Sequence, residues 1–472
     1  NPWATLTVLA VAQMVVILDL TIVNVALPHI QSSLHFSTAD LQWIINAYTL
    51  LFGGFLLLGG RVADLLGRRR LFIAGLVLFT AASLAAGLAQ SSTMMIIARA
   101  VQGFGGAMLS PAALSLVIVT FPHGRERNTA LSIWGALAGL GGTLGVVVGG
   151  VLISAIGWRA VFFVNVPIGI GLALLTPLVV SESHTQATGT GRRFDLPGAL
   201  VGTGGVLALV FGIVRTQTLG WGSAEVLGTL IGGLVLLAIF VRVELRSVAP
   251  LVPPRLFSSQ GMRTSSLALA MNGGMFLAMF YLLAIFIQGV RGEDALGTGL
   301  QLLPMGSIAI FAAVASSVLV PRIGTRTLQV IGGILSATGL LLLSRAGATD
   351  AYASSLLPGF ILFGWGFIWV AVPAQITAQA EVTHQDAGSA GAVVNAAYQI
   401  GGALGLAIIT TIANTHATSL AHHETISLAR TGGFQLGMIC AAIIAALDVV
   451  VAFISPQLRP DAETLQAAMT AA

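Results

Sequence analysis

The sequence predicts an all-α polytopic membrane protein: two six-helix bundles plus an inserted helix pair, about fourteen transmembrane helices in all. Three observations predict it. The 472 residues are 56% hydrophobic and only 8% charged, with a mean hydropathy of +0.94, where a soluble domain carries about 25% charged residues. Apolar runs of about 20 residues, enough to cross a bilayer as a helix, recur between charged or turn-rich breaks. Two patterns also recur at nearly one offset. Gly67-Arg68-Arg69-Arg70-Leu71 returns as Gly324-Thr325-Arg326-Thr327-Leu328, 324 − 67 = 257, and Gln102-Gly103-Phe104-Gly105 returns as Phe363-Gly364-Trp365-Gly366, 364 − 103 = 261.

The first six spans fall near 4–28, 41–60, 71–89, 93–119, 128–152 and 159–181, within an N-terminal bundle over 1–181. A linker rich in Ser, Thr, Gly and Arg leads into the inserted pair, near 196–214 and 224–242, the whole segment covering 182–262. The C-terminal bundle, 263–456, holds spans near 264–288, 297–319, 327–345, 354–379, 386–412 and 432–454, and 457–472 is a tail. Parallel halves of this kind, with a midplane site between them, are a transporter architecture. The chain opens Asn1-Pro2-Trp3, which suggests a trimmed N-terminus, and the first apolar run reads as a span and not a cleaved signal.

Arginine sets the orientation. With the N-terminus inside, 15 arginines lie in inner loops and helix ends, among them Arg61, Arg68, Arg69, Arg70, Arg125, Arg127, Arg192 and Arg193. Only 5 lie outside: Arg159, Arg215, Arg291, Arg345 and Arg430. The positive-inside rule then puts both termini and the tail in the cytoplasm. A net charge of +4 spread over loops argues for membrane topology and against nucleic acid as a partner.

Asp19 stands in Val15-Val16-Ile17-Leu18-Asp19-Leu20-Thr21-Ile22-Val23 with no cation near it in sequence. A carboxylate at a span centre costs about 2.5–3.5 kcal/mol and is a functional-site candidate by default. Asp448, in Ala445-Ala446-Leu447-Asp448-Val449-Val450, is the other embedded acid. It has three readings: a snorkelling side chain, a hydrogen bond to a neighbouring helix, or a second proton site.

Gly60-Arg61-Val62-Ala63-Asp64-Leu65-Leu66-Gly67-Arg68-Arg69-Arg70 closes the second span. Gly60 permits close helix contact and Gly67 a tight turn. Asp64 can pair with arginine or cap a neighbouring helix. A plain basic loop would supply the arginines but not this order. The order resembles the signature loop of the major facilitator superfamily, and further matches resemble its fourteen-helix drug:proton antiporter branch. Leu18-Asp19-Leu20-Thr21-Ile22-Val23-Asn24-Val25-Ala26-Leu27-Pro28 is similar to that branch's first-helix motif. Arg99-Ala100-Val101-Gln102-Gly103-Phe104-Gly105-Gly106-Ala107 is similar to the fourth-helix motif, and Trp158-Arg159 with Phe162-Phe163-Val164-Asn165-Val166-Pro167-Ile168-Gly169 to the sixth-helix opening. Phe194-Asp195-Leu196-Pro197-Gly198 resembles the start of the inserted pair. Ala387-Gly388-Ser389-Ala390-Gly391, with Asn395, Gln399, Gly401, Gly402 and Gly405, resembles the second-half pattern.

Two departures stand out. The branch's fifth helix carries Gly-Pro-x-x-Gly-Gly, and here Val146 replaces the proline, which would bend the helix. Ala160 replaces an aromatic in the sixth-helix opening. The glycine frame survives: Gly141, Gly145 and Gly149 share one face at i, i+4, i+8, suited to helix packing or to gating.

The resemblance implies a major facilitator fold in a bacterial cytoplasmic membrane, exporting hydrophobic or amphipathic compounds by alternating access in exchange for protons. It places the first and fourth helices side by side, so Asp19 and Arg99 meet directly or through water. Their pair then either couples protons to transport or fixes helix register as a static ion pair. The Asp64, Arg68 and Arg69 loop would hold the cytoplasmic ends together. An exporter of a lipid or an endogenous secondary metabolite is the alternative; a membrane sensor or scaffold is a weaker one.

Polar and aromatic side chains elsewhere in the spans are cavity candidates: Gln42 and Asn46 on one face, Asn395 and Gln399 on another, with Asn24, Gln102, Asn272, Tyr281, Gln288 and Trp365. Each also fits an interhelical hydrogen bond or interface anchor. The eight histidines read as loop or helix-end residues and Cys440 is the only cysteine, so no metal site or disulfide is expected. No phosphate-cradling loop of the ATPase type and no nucleophile–base cluster is present, so the chain reads as a monomeric transporter rather than an enzyme, with the proton gradient in place of a cofactor.

Overall fold

The computed structural model describes residues 2–121, 130, 133, 144–182, 195–247, 250–252, 254–380 and 387–459, with the backbone alone at 57, 61, 64–66, 118, 196 and 387–389. The described residues outside loops are helical. The N-terminal bundle contains α1 (Pro2–Leu34), α2 (Trp43–Leu66), α3 (Arg68–Gly87) and α4 (Ser92–Thr120). It continues with α5 (Leu144–Ala155), then α6 (Ala160–Phe163) and α7 (Asn165–Val179), which together form one span. The inserted pair is α8 (Leu196–Leu219) and α9 (Ala224–Arg246). The C-terminal bundle contains α10 (Gln260–Gly289), α11 (Ala295–Ile323), α12 (Thr325–Leu343), α13 (Tyr352–Ser355), α14 (Leu357–Ala380), α15 (Ala387–Leu420) and α16 (Ile426–Ile454).

Among the described residues, 12 helices are long and apolar enough to cross a membrane, and shorter apolar helices, Trp43–Leu56 and Leu144–Ala155, stand where the second and fifth spans are expected. Side-chain caps mark several starts. Ser91 accepts from Met94 N, Ser259 from Met262 N and Asp294 from Gly297 N, each satisfying a backbone donor that the first turn leaves without a partner.

The internal repeat is a packing repeat. In the first bundle α3 lies on α4, α2 on α4 and α3 on α7; in the second, α12 lies on α14, α11 on α14 and α12 on α16. One glycine pair joins each equivalent crossing. A Cβ on Gly75 would stand 2.9 Å from Gly105 O, and a Cβ on Gly332 would stand 2.9 Å from Gly366 O. The spacings are those of the sequence repeat: 332 − 75 = 257 and 366 − 105 = 261. Where hydrocarbon surrounds the helices, such backbone-to-backbone approach supplies the van der Waals contact that holds them together.

The apolar core is asymmetric along the bundle axis. At the end where α1 finishes, one cluster runs through both halves and includes Ile22, Val25 and Leu27 with Tyr281, Leu283 and Ile287. At the end where α1 begins, each half has its own cluster, around Leu9 and Phe72 in the first and around Met262 and Ala378 in the second.

Candidate functional site

Asp19 is fully buried at the middle of α1, and its hydrogen-bond donors come from α4 and α7. Arg99 of α4 donates from Nη1 to Asp19 Oδ2 at 2.6 Å. Gln102, one turn further along α4, donates to Asp19 Oδ1 at 2.9 Å, and Asn165 at the start of α7 donates to the same oxygen at 3.0 Å. Arg99 is held in turn. Its Nη1 also reaches Gln102 Oε1 at 2.7 Å, its Nε donates to Ile44 O of α2 at 3.0 Å, and its Cζ lies 4.4 Å from the Tyr48 ring centroid. Asn165 also donates to Ser83 Oγ of α3 at 3.0 Å, and Ser83 donates to Phe162 O at 2.9 Å. A buried charge pair repays its desolvation only when further hydrogen bonds fill its remaining positions, as they do here.

The same stretch of α1 carries α5. A Cβ on Gly145 would collide with Thr21 Oγ1 and stand 3.0 Å from Leu18 O; on Gly149 it would stand 2.7 Å from Ile22 Cγ1. The adjacent side of α5, about 100° round the helix, meets the second bundle. A Cβ on Gly150 would lie 2.8 Å from Ala295 O, and one on Gly299 of α11 would lie 2.8 Å from Val146 O. The proline-less fifth helix is therefore a spacer one glycine thick between Asp19's helix and α11. Gly141 lies outside the described residues.

The sequence model of the Major Facilitator Superfamily matches residues 9–406. The chain belongs to the major facilitator superfamily. It is 39% identical to the puromycin resistance protein pur8 of Streptomyces alboniger over 100% of this chain and 95% of that protein. It is 38% identical to the cephamycin export protein CmcT of Amycolatopsis lactamdurans over 85% of this chain and 83% of that one. The multidrug resistance protein Stp of Mycobacterium tuberculosis is 34% identical over 86% and 75% of the two chains. Among solved structures, a bacterial homologue of the human lysosomal transporter Spinster matches with a TM-score of 0.68 and 14% identity over 99% of this chain and 98% of that one. A peptide transporter POT bound to sulfate matches at 0.67 and 14% over 95% of each chain. Those two likenesses concern the fold alone.

In this facilitator the signature loop turns at Gly67, whose φ of 102° suits glycine. Arg69 N donates to Glu182 Oε1 at 3.1 Å and its Nη1 to Val180 O at 3.1 Å, while Arg70 Nε lies 3.8 Å from Glu182 Oε2; the loop is tied to the end of α7. Arg68 begins α3. The Asp64 side chain lies outside the described residues. The close approach expected of Gly60 belongs to its neighbour. A Cβ on Gly59 would collide with Ala107 O of α4, whereas one on Gly60 would meet Pro111 Cβ at an ordinary 3.8 Å, because successive helical positions point about 100° apart.

Asp448 is fully buried in α16, and neither carboxyl oxygen has a hydrogen-bond partner among the described residues. The cavity candidates divide. Asn24, Gln42, Asn46, Gln102, Asn272, Tyr281 and Gln399 are buried, Gln288 and Trp365 half-buried, and Asn395 exposed. Several lie in contacts between the bundles: Gln288 donates to Val25 O at 2.9 Å, Thr410 of α15 donates to Gln42 Oε1 at 2.6 Å, and a Cβ on Gly53 would lie 2.6 Å from Gln399 Cβ. Asn272 donates to Phe367 O at 3.2 Å within the second bundle.

Sequence reasoning quoted Asn165 only as part of a motif and passed over Ser83 and Tyr48. Asn165 carried a usable signal, an amide inside the apolar run Phe162 to Pro167. Ser83 and Ile44 O carried none, since their roles exist only once α2 and α3 pack.

Proposed function

We propose that this facilitator is a proton-coupled exporter of hydrophobic or amphipathic small molecules, antibiotics among them. The single observation that carries the coupling is the sealed Asp19–Arg99–Gln102–Asn165 network. Its relatives named for antibiotic resistance and export support the substrate class. The arginine asymmetry supports cytoplasmic termini, and the core shared at the α1 C-terminal end then makes that end the outer one, closed in an inward-facing state.

A proton reaching Asp19 removes the charge that balances Arg99, and three donors lose an anionic acceptor together. The network must rearrange, and α1 carries the change to its neighbours. Leu18 O, Thr21 and Ile22 bear on α5 at Gly145 and Gly149, and α5 bears on α11 through Val146 and Gly150. This contiguous path links proton occupancy to the contact between bundles. A cationic or polarisable substrate entering from the cytoplasmic side competes for the field of the same carboxylate. Energy comes from the proton gradient with no cofactor, and one chain suffices.

Everted vesicles test this. An imposed pH gradient drives uptake of a fluorescent amphipathic cation by the parent, and Asp19→Asn loses gradient-driven uptake while remaining folded. If Asp19→Asn transports as well as the parent, the coupling role is wrong. If only neutral compounds are carried, the charge competition is wrong and the exporter reading stands.

A further inference from the structure

The inserted helix α8 packs on the first bundle near its start and on both bundles further along. Near its start, Ala199 is buried among Phe55 and Leu58 of α2 and Ala107 of α4, all first-bundle residues. One turn on, Thr203 presses on Gly54 so closely that a Cβ there would collide with Thr203 Oγ1. Near its end, hydrogen bonds tie Gln217 to the second bundle. Gln217 Nε2 donates to Thr411 Oγ1 at 2.9 Å, and Asn414 Nδ2 donates to Gln217 Oε1 at 3.3 Å. The neighbouring Thr410 is the residue that bonds Gln42 across the seam at 2.6 Å, so two consecutive threonines of α15 hold α2 and α8. The apolar side of α8 packs on both bundles: Val206, Val210 and Val214 cluster with Ala39 and Leu50 of the first and with Ala403 and Ala407 of α15, and the Phe211 and Trp43 rings meet at 6.3 Å. Its partner α9 presents Ile231, Leu234, Val235 and Ile239 outward, more than two-fifths exposed, and touches neither bundle comparably.

We infer that Gln217 is a positioning residue of the transport cycle: it binds the outer end of α8 to the second bundle, so that opening the outer seam parts α8 from α2 at Trp43 while its inner end stays on Gly54. Hydrogen bonds between helices in an apolar setting have no water to exchange with, whereas apolar contacts with a helix are replaced by lipid contacts at little cost. When the seam opens, at the cost of the Gln42–Thr410 bond, α8 therefore stays with α15, to which it is both hydrogen-bonded and packed, and leaves α2, which this end touches through apolar side chains. The inserted pair is thereby a strap tied to opposite ends of the two bundles, which limits how far they tilt. This deepens the exporter reading only in requiring that the bundles alternate.

The test uses full-length protein with Cys440→Ser, which removes the sole cysteine. A short thiol cross-link between Gln217→Cys and Thr411→Cys leaves transport within about twofold of the reduced form, while one between Trp43→Cys and Phe211→Cys lowers it at least about tenfold, since a gating step sets turnover. Gln217→Leu lowers maximal uptake about threefold or more with KM unchanged, the split expected of a residue that touches no substrate. Spin-label distances give a readout without substrate. Between pH 5.5 and pH 8, the 42–410 and 43–211 distances broaden together, and 218–415, at exposed neighbours of the intact Gln217–Thr411 bond, stays narrow. A 43–211 distance that stays narrow under both conditions, or a 217–411 cross-link that blocks transport, overturns the inference. A chain that carries no compound but shows the paired broadening loses the exporter reading and keeps this one.

Discussion

Removing Arg99 would strand a fully buried carboxylate with two amide donors and no counter-charge. Arg99→Ala is expected to cost about 3–5 kcal/mol in unfolding stability, and the double variant Asp19→Leu with Arg99→Leu to recover most of it, because an apolar pair leaves no unpaired charge. Thermal unfolding in detergent reads both. Arg99→Lys should fall near alanine, since one ammonium cannot span Asp19, Gln102 and Ile44 O as the guanidinium does. Asp448 predicts the opposite. Its oxygens have no hydrogen-bond partner among the described residues to lose, so Asp448→Asn is expected to keep transport within about twofold where Asp19→Asn abolishes it, measured in the same vesicles. Two acids that looked alike as lone charges in apolar text thus differ in what surrounds them, and sequence could not separate them because the donors come from two other helices, α4 and α7.

Glycine contacts fall into two kinds, and substitution should tell them apart. Gly75 and Gly105 join α3 to α4 within a bundle, and Gly75→Ala places a methyl 2.7 Å from Leu109 N. The helices of a bundle stay together throughout, so this variant is expected to lower stability and expression. Gly299 joins α11 to α5 across the seam, with Val146 O in the way. Gly299→Ala is expected to fold and to favour the open seam, raising the thiol reactivity of Gln288→Cys toward an impermeant reagent added outside. Equal reactivity in both backgrounds would show that the α5–α11 contact does not decide the state. In sequence only Gly141, Gly145 and Gly149 read as a packing stripe, and which helix such a stripe meets was not legible, since the 3.6-residue periodicity names a face and not its neighbour.

For the whole molecule, one core runs through both bundles at the end where α1 finishes, and separate cores stand at the other end. A cross-link between Gln42→Cys and Thr410→Cys is expected to abolish transport while leaving inward substrate binding intact, as measured by fluorescence titration of the locked protein. Reporter fusions at both ends are expected to read cytoplasmic, as the 15-to-5 arginine bias requires.

By itself the sequence determined the solvent, the spans, the repeat and the identity of the two embedded acids, because hydropathy, arginine placement and glycine spacing are local properties of the chain. The spacing even carried the tertiary repeat, since 257 and 261 separate the glycines that cross in each bundle. Only the tertiary structure decided that Asp19 meets Arg99, Gln102 and Asn165 at once, that Asp448 has no hydrogen-bond partner among the described residues, and that α8 packs on both bundles. Each of these depends on which helix stands beside which. In a bilayer that choice is made by close packing and a few hydrogen bonds, and no stretch of apolar text records it.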